Sequence, residues 1–281
     1  MKNIMPILLA GLLSACNSAM DPDVKRHFID DDQAHPLVVL LGGSEGGNTL
    51  AKPHFQPLLD SFHKHGMSVA SLAYFGTPGT PSRQISLSLD DIATRISKLA
   101  NDPRINSNCI TVYGFSKGAE LALLLAAHFE HINHAVAVMP SHVSWNAVKT
   151  FSSQPGWQLK QTPLPYVDAP LISWPMQKGV VTGIYTPAFK NALENAAAST
   201  LNAARIPVEK TNGPVLLVSA KQDEIWPSHR MANNIIDSLQ QADFAYPYDH
   251  IELPGGHYSF NRETQAQVNQ FLTNTLVKQC Q

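Results

Sequence analysis

The sequence has no concentrated basic patch, no internal repeat and no low-complexity tract, and it is poor in charge and in cysteine. Its Lys and Arg are scattered and the formal charge is -2, which argues against nucleic acid, a partner that needs clustered positive charge. Charged residues make up only 15% and hydrophobic ones 44%, so the chain can bury a sizeable core and wholesale disorder is excluded. A length of 281 residues suits one large α/β domain and is tight for two.

The N-terminal apolar run, Met5 to Leu13, falls short of the roughly 20 apolar residues that span a bilayer. It follows Lys2 and ends in Leu13-Ser14-Ala15-Cys16, which resembles the lipobox of bacterial lipoproteins. The resemblance implies cleavage of residues 1–15 and a lipid anchor on Cys16. With Asn17 rather than Asp following, it also implies the cell envelope, on the periplasmic side of the outer membrane. The competing reading is a secretory leader whose cysteine is incidental. Either leader takes the body of the protein to an oxidising compartment, where Cys109 and Cys280 remain as an even pair.

Residues 16–35 are polar and acidic (Asp21, Asp23, Asp30, Asp31, Asp32) and read as a tether. The domain then begins at Pro36, with Leu37 to Leu41 as a strand apolar on both faces, which belongs inside a parallel sheet. A glycine-rich turn, Gly42 to Gly47, follows. Helical spacing predicts helices near 55–65, 87–100, 119–129, 228–241 and 263–277, alternating with strands near 68–74, 109–113, 135–139, 215–219 and 250–253. Between 141 and 212 the pattern degrades into a Pro- and Trp-rich stretch with one clear helix, near 187–204. Strands and helices alternating on both sides of one irregular insertion predict a doubly wound, mostly parallel sheet with an inserted lid at 141–212.

The strand ending at Tyr113 runs into Gly114-Phe115-Ser116-Lys117-Gly118 and then into a helix. This is a G-x-S-x-G nucleophile elbow in its required strand–turn–helix context, and it points to the α/β-hydrolase fold. The later partners also follow strands, in the order that fold requires: Asp223 after 215–219 and His257 after 250–253. The expected roles are nucleophile for Ser116, general base for His257 and orienting acid for Asp223. The expected oxyanion donors are the backbone N–H groups of Lys117 and of Ser44, with Ser44 favoured over Glu45. A phosphate-binding reading of the glycine turn lacks a G-x-x-x-x-G-K-[ST] pattern. Glu224 is the alternative acid. His128, His131 and His134 recur at a spacing of three, but no carboxylate completes a metal set there, and neither a metal nor a cofactor is called for.

Tyr113-Gly114-Phe115-Ser116-Lys117-Gly118-Ala119-Glu120-Leu121 resembles the nucleophile region of the acyl-CoA thioesterase and bile acid-CoA:amino acid N-acyltransferase family, whose catalytic domain is dienelactone-hydrolase-like. Ser71 to Phe75, Ile206 to Glu209, Asp223 with Trp226 and Ser228, and Gly256-His257-Tyr258 are similar as well. The similarity spans Pro36 to the C-terminus and implies an acyl ester or thioester substrate. Acyltransferase members commonly use cysteine as nucleophile, so Ser116 tilts the expectation towards hydrolysis. In such a fold Cys109 and the end of the closing helix share the sheet edge opposite the catalytic one, which implies a Cys109–Cys280 disulfide. Three functions compete: a membrane-tethered serine hydrolase working through an acyl-enzyme, an acyltransferase serving an amine or alcohol, and a non-catalytic envelope binding lipoprotein.

Overall fold

Strands that are apolar on both faces must be covered on both, and this requirement shapes the computed structural model, which describes residues 23–148, 150 and 153–280. In chain order the elements are β1 (Val24–His27), β2 (His35–Leu41), α1 (Gln56–His63), β3 (Ser68–Leu72), β4 (Leu87–Ser88), α2 (Leu89–Ala100) and β5 (Ile105–Phe115). They continue with α3 (Lys117–His128), β6 (His134–Val138), β7 (Trp157–Leu159), β8 (Thr162–Pro163), α4 (Trp174–Thr182), α5 (Thr186–Asn195) and α6 (Ala198–Ala204). The chain closes with β9 (Val215–Ala220), α7 (Ser228–Gln241), β10 (Tyr248–Leu253) and α8 (Arg262–Leu272), after which Thr273–Val277 winds as a π turn.

The main sheet has seven strands in the order β1-β3-β2-β5-β6-β9-β10, all parallel except β1, which runs antiparallel to β3. Along β2, Leu37, Val39 and Leu41 enter one apolar cluster while Val38 and Leu40 enter another, as the two-residue period of a strand demands. The first cluster joins the sheet to α2, α3 and α7, and the second joins it to α1 and α8. This is the α/β-hydrolase architecture. Because β3 lies on one side of β2 and β5 on the other, the winding reverses between β2 and β5. Ligand crevices of open α/β sheets form at the carboxyl ends of the strands at such a reversal.

Two features depart from the sequence reading. Residues 16–35 were expected to be tether, but Val24–His27 pairs with β3 as an edge strand, so the folded unit begins well upstream of Pro36. The insertion was expected to hold one helix across 187–204. It holds α5 and α6, separated by extended backbone at Ala196 and Ala197, together with an additional helix, α4. Its small sheet, β4-β7-β8, ties the insertion to the start of α2.

Cys109 and Cys280 are joined by a disulfide with Cα atoms 6.2 Å apart. It clamps the chain's last turn to the end of β5 remote from Ser116, and the Asn106 side-chain amide donates to the Cys280 carbonyl (3.2 Å) beside it. Closing a loop of 171 residues constrains the unfolded chain, a class of effect worth about 2–5 kcal/mol.

Candidate active site

Strand β5 ends where α3 begins, and Ser116 sits between them with φ 55° and ψ −119°, a strained backbone for a residue with a side chain. The turn is this sharp because its flanking glycines permit it. A Cβ on Gly114 would lie 2.0 Å from the Gly118 carbonyl oxygen, and one on Gly118 would lie 2.3 Å from the oxygens of Leu41 and Gly42. The second contact presses the elbow against the end of β2. A Cβ on Gly43 would stand 3.4 Å from Ser116 Cβ, so the glycine loop touches the serine directly.

That loop is braced from behind. Tyr74 donates its hydroxyl to the Gly42 carbonyl at 2.7 Å, and Glu45 accepts the Gly43 N–H at 3.0 Å. The Glu45 side chain is thus occupied in holding the turn. The N–H of Ser44 has no partner among the described residues, and the Lys117 N–H opens α3, where helical N–H groups have no intrahelical acceptor. Lys117 follows the serine directly, and Ser44 follows Gly43, the loop residue that touches it.

On the opposite wall, His257 Nδ1 lies 2.9 Å from each carboxylate oxygen of Asp223. Asp223 also accepts the backbone N–H groups of Ile225 (2.9 Å) and Trp226 (3.1 Å) and the hydroxyl of Ser228. These contacts fix the carboxylate's orientation and account for Trp226 and Ser228 accompanying Asp223. With Nδ1 engaged, His257 is left with Nε2 free to accept a proton. The imidazole is buried and meets the ring of Phe115, the residue before Ser116, edge-on at 5.3 Å between centroids. Glu224 serves elsewhere: its carboxylate accepts the His257 backbone N–H at 2.9 Å, and its carbonyl accepts the N–H groups of Tyr185 and Thr186.

One pair of residues was not singled out by sequence reasoning. Lys117 Nζ lies 3.0 and 2.9 Å from the two oxygens of Glu120, and both side chains are buried. Burial pulls the Lys117 ammonium below the ordinary lysine range, against the opposing pull of Glu120. Lys117 also donates to the carbonyl of Trp145 (3.2 Å), while Glu120 accepts the Trp145 N–H (3.0 Å) and the Trp157 indole N–H (2.6 Å). The signal was present in the sequence as charges at i and i+3 within an otherwise apolar helix.

His128, His131 and His134 do not converge. The His131 ring contacts the Ser97 hydroxyl at 2.9 Å, while the buried His134 ring faces the Thr275 carbonyl at 3.3 Å. A different group, His229, His250 and Glu252, brings three ligand-type atoms within 4.8 Å. There Lys221 pairs with Glu252 at 2.7 Å and already neutralises the only carboxylate. Cys16 lies outside the described residues. A cavity of about 980 Å³ opens between α1 and α8 and shares Glu45, Phe115 and Tyr258 with the site; Leu58, Lys64 and Arg262 also line it.

The elbow and an Asp–His pair at the carboxyl edge of this sheet fit the class that the architecture defines, an α/β-hydrolase-fold protein. Comparison with known proteins narrows it. The family described as BAAT / Acyl-CoA thioester hydrolase C terminal matches residues 93–259, and the chain belongs to that family. Peroxisomal succinyl-coenzyme A thioesterase of Mus musculus is 25% identical over 195 residues, covering 69% of this chain and 43% of the relative. Acyl-coenzyme A amino acid N-acyltransferase 1 of Mus musculus is 25% identical over 234 residues, covering 78% and 50%. The chain therefore spans about half the length of these curated relatives. Among solved structures, an acetyl ester-xyloside bifunctional hydrolase from Caldicellulosiruptor lactoaceticus superposes with a TM-score of 0.56 at 17% identity. That superposition covers 89% of this chain and 87% of the hydrolase, and it shows a shared fold.

Proposed function

We propose that this protein is a serine acyl hydrolase, a thioesterase or carboxylesterase, in which Ser116, His257 and Asp223 act as a catalytic triad. The observation that carries the reading is the Asp223–His257 pairing at 2.9 Å beside a strained elbow serine. His257 Nε2 takes the Ser116 hydroxyl proton as Oγ bonds to the acyl carbon. The N–H groups of Lys117 and Ser44 hold the oxyanion. The C–S or C–O bond then breaks, and His257 returns the proton to the departing thiol or alcohol. Water repeats the sequence on the acyl-enzyme, releasing the acid and restoring the Ser116 hydroxyl. The α1/α8 cavity, lined by Phe115 and Tyr258 beside the His257 ring, is large enough to take an elongated leaving group.

Similarity to an N-acyltransferase favours a second reading, in which an amine intercepts the acyl-enzyme in place of water. Lipidation of Cys16 completes the proposal and holds the enzyme at the envelope membrane.

The test is labelling with a fluorophosphonate probe, alongside Ser116→Ala and His257→Ala variants whose folding is checked by circular dichroism. The parent labels and both folded variants do not. A folded parent that fails to label removes the hydrolase reading. Product analysis with and without glycine as acceptor separates hydrolysis from transfer.

A further inference from the structure

Among the described residues, seven large apolar side chains are exposed, and five of them, Ile172, Trp174, Val180, Val181 and Ile184, fall in the single segment around α4. Trp174 is 79% exposed and Val181 86%. The inner face of α4 is spent on Met176 and on Gly179, where a Cβ would stand 2.6 Å from the Tyr185 ring. Trp174, Lys178 and Val181, spaced i, i+4, i+7, therefore share the outer face. Between Asp168 and Lys190 the only charged residue is Lys178. Singly exposed apolar residues are ordinary, whereas a contiguous group of this kind marks an interaction surface.

The patch stands beside the candidate site. The N–H groups at the start of α5 (Tyr185 at 2.7 Å, Thr186 at 3.1 Å) bond the Glu224 carbonyl, next to Asp223. A second observation concerns where the chain enters the fold. Because β1 runs antiparallel, its first residue, Val24, pairs with the last residue of β3, Leu72. The chain thus enters the fold at the carboxyl edge of the sheet, the edge that carries Ser116. The Asp23 carbonyl is held there by Ala73 N–H (2.8 Å) and by the Asn48 side chain (2.9 Å), just beyond the glycine loop. Cys16 precedes Asp23 by seven residues, a span of about 25 Å even fully extended. The lipid proposed on Cys16 would keep the catalytic edge, and the α4 patch with it, within about 25 Å of the bilayer.

We propose that the α4 face from Ile172 to Ile184 seats on a lipid bilayer surface, so that the substrate is an acyl ester or thioester resident in or on that bilayer. Tryptophan with aliphatic neighbours suits the boundary between headgroups and acyl chains, and the ammonium of Lys178 suits anionic headgroups. The docking claim is independent of the chemistry; the substrate claim rests on the acyl-hydrolase reading above.

The sheet and both of its cores are complete within residues 23–280, so the test uses the chain from residue 16 onward with Cys16→Ser, which carries no lipid. Vesicles of phosphatidylethanolamine and phosphatidylglycerol with brominated acyl chains are titrated while tryptophan emission is followed. Trp145, Trp157 and Trp226 are buried, so quenching reports Trp174. The expected result is saturable quenching that Trp174→Phe abolishes. Ile172→Ser with Val181→Ser weakens vesicle binding at least tenfold and leaves hydrolysis of a soluble short-chain ester unchanged. Absence of quenching overturns the proposal, as does lipid-independent dimerisation, seen by light scattering, that the same double variant abolishes. Quenching by a protein that takes no fluorophosphonate label keeps the docking and removes the hydrolase. Labelling without quenching does the reverse.

Discussion

Lys117 and Glu120, one helical turn apart and 2.9 Å from nitrogen to oxygen, join α3, the helix that follows Ser116, to the insertion packed against it. The ion pair takes its remaining hydrogen bonds from Trp145, Asn146 and Trp157, all residues of the insertion. Glu120→Ala strands a buried ammonium, and breaking such a pair from one side costs about 3–5 kcal/mol. Combining Lys117→Met with Glu120→Leu removes both charges but leaves the Trp145 and Trp157 N–H groups without their acceptor, so it is expected to recover only part of that loss. Urea unfolding of Glu120→Ala and of the double variant reads the difference, and a Glu120→Ala protein that unfolds at the parent's midpoint refutes the structural role.

Asp223 and Glu224 are adjacent acids with separate duties, one on the His257 imidazole and the other on its backbone. Asp223→Asn is expected to lower kcat by roughly 10³- to 10⁴-fold with little change in KM, because it leaves the imidazole in the wrong tautomer. Glu224→Gln keeps an acceptor for the His257 N–H and is expected to cost less than about tenfold. Steady-state kinetics on one ester substrate decides between them. An equal loss in the two variants contradicts the assignment.

Contact between the elbow and β2 leaves no room for a methyl group on Gly118, since a Cβ there meets two carbonyl oxygens at 2.3 Å. Gly118→Ala therefore has to push the elbow off β2. The expected result is a loss of several kcal/mol or failure to fold, on the scale of overpacking a tight interior. Gly66→Ala meets no atom within 4 Å but carries φ 75°, so it is expected to cost only about 1 kcal/mol, from backbone strain. Thermal melts of both variants test the contrast.

Burial lowers the pKa of His134 to about 4. Its folded-state pKa thus lies below the ordinary value of 6.5, and the unfolded chain binds the proton first as pH falls. Stability is full above pH 6.5 and declines between there and pH 4, by roughly 2–3 kcal/mol from this residue. His142, pushed to about 4 by burial and by Arg230, adds a similar slope. Unfolding free energies of the parent and His134→Gln at pH 7.5 and 4.5 should differ in slope, with the variant less sensitive to acid.

The alternation of strands and helices, the elbow and the Ser–Asp–His order could all be read from the sequence. Buried parallel strands and post-strand turns leave contiguous local patterns, and the helix over Ser228–Gln241 matched to the residue. Edge strand β1 left no such pattern, because Lys25 and Arg26 face solvent and its pairing is settled only by β3. Helix α4 was hidden by Gly179 and two adjacent valines, although Pro175 near its start and left-handed Gly183 at its end are ordinary helix punctuation. The break at Ala196 opposes the helix preference of alanine. Local propensity therefore does not reveal it, and α5 is instead tied into the fold by Phe189, which packs between Trp145 (4.9 Å) and Trp226 (6.0 Å).

The Cys109–Cys280 bond turns everything between those residues into a covalent ring that contains Ser116, the whole insertion, Asp223 and His257. A single backbone cut anywhere in that ring leaves one molecule rather than two fragments. Cleavage within the insertion would thus go unseen on a non-reducing gel and appear only after reduction. Ser116 and His257 thus stay on one covalently connected molecule after the insertion between them has been cut.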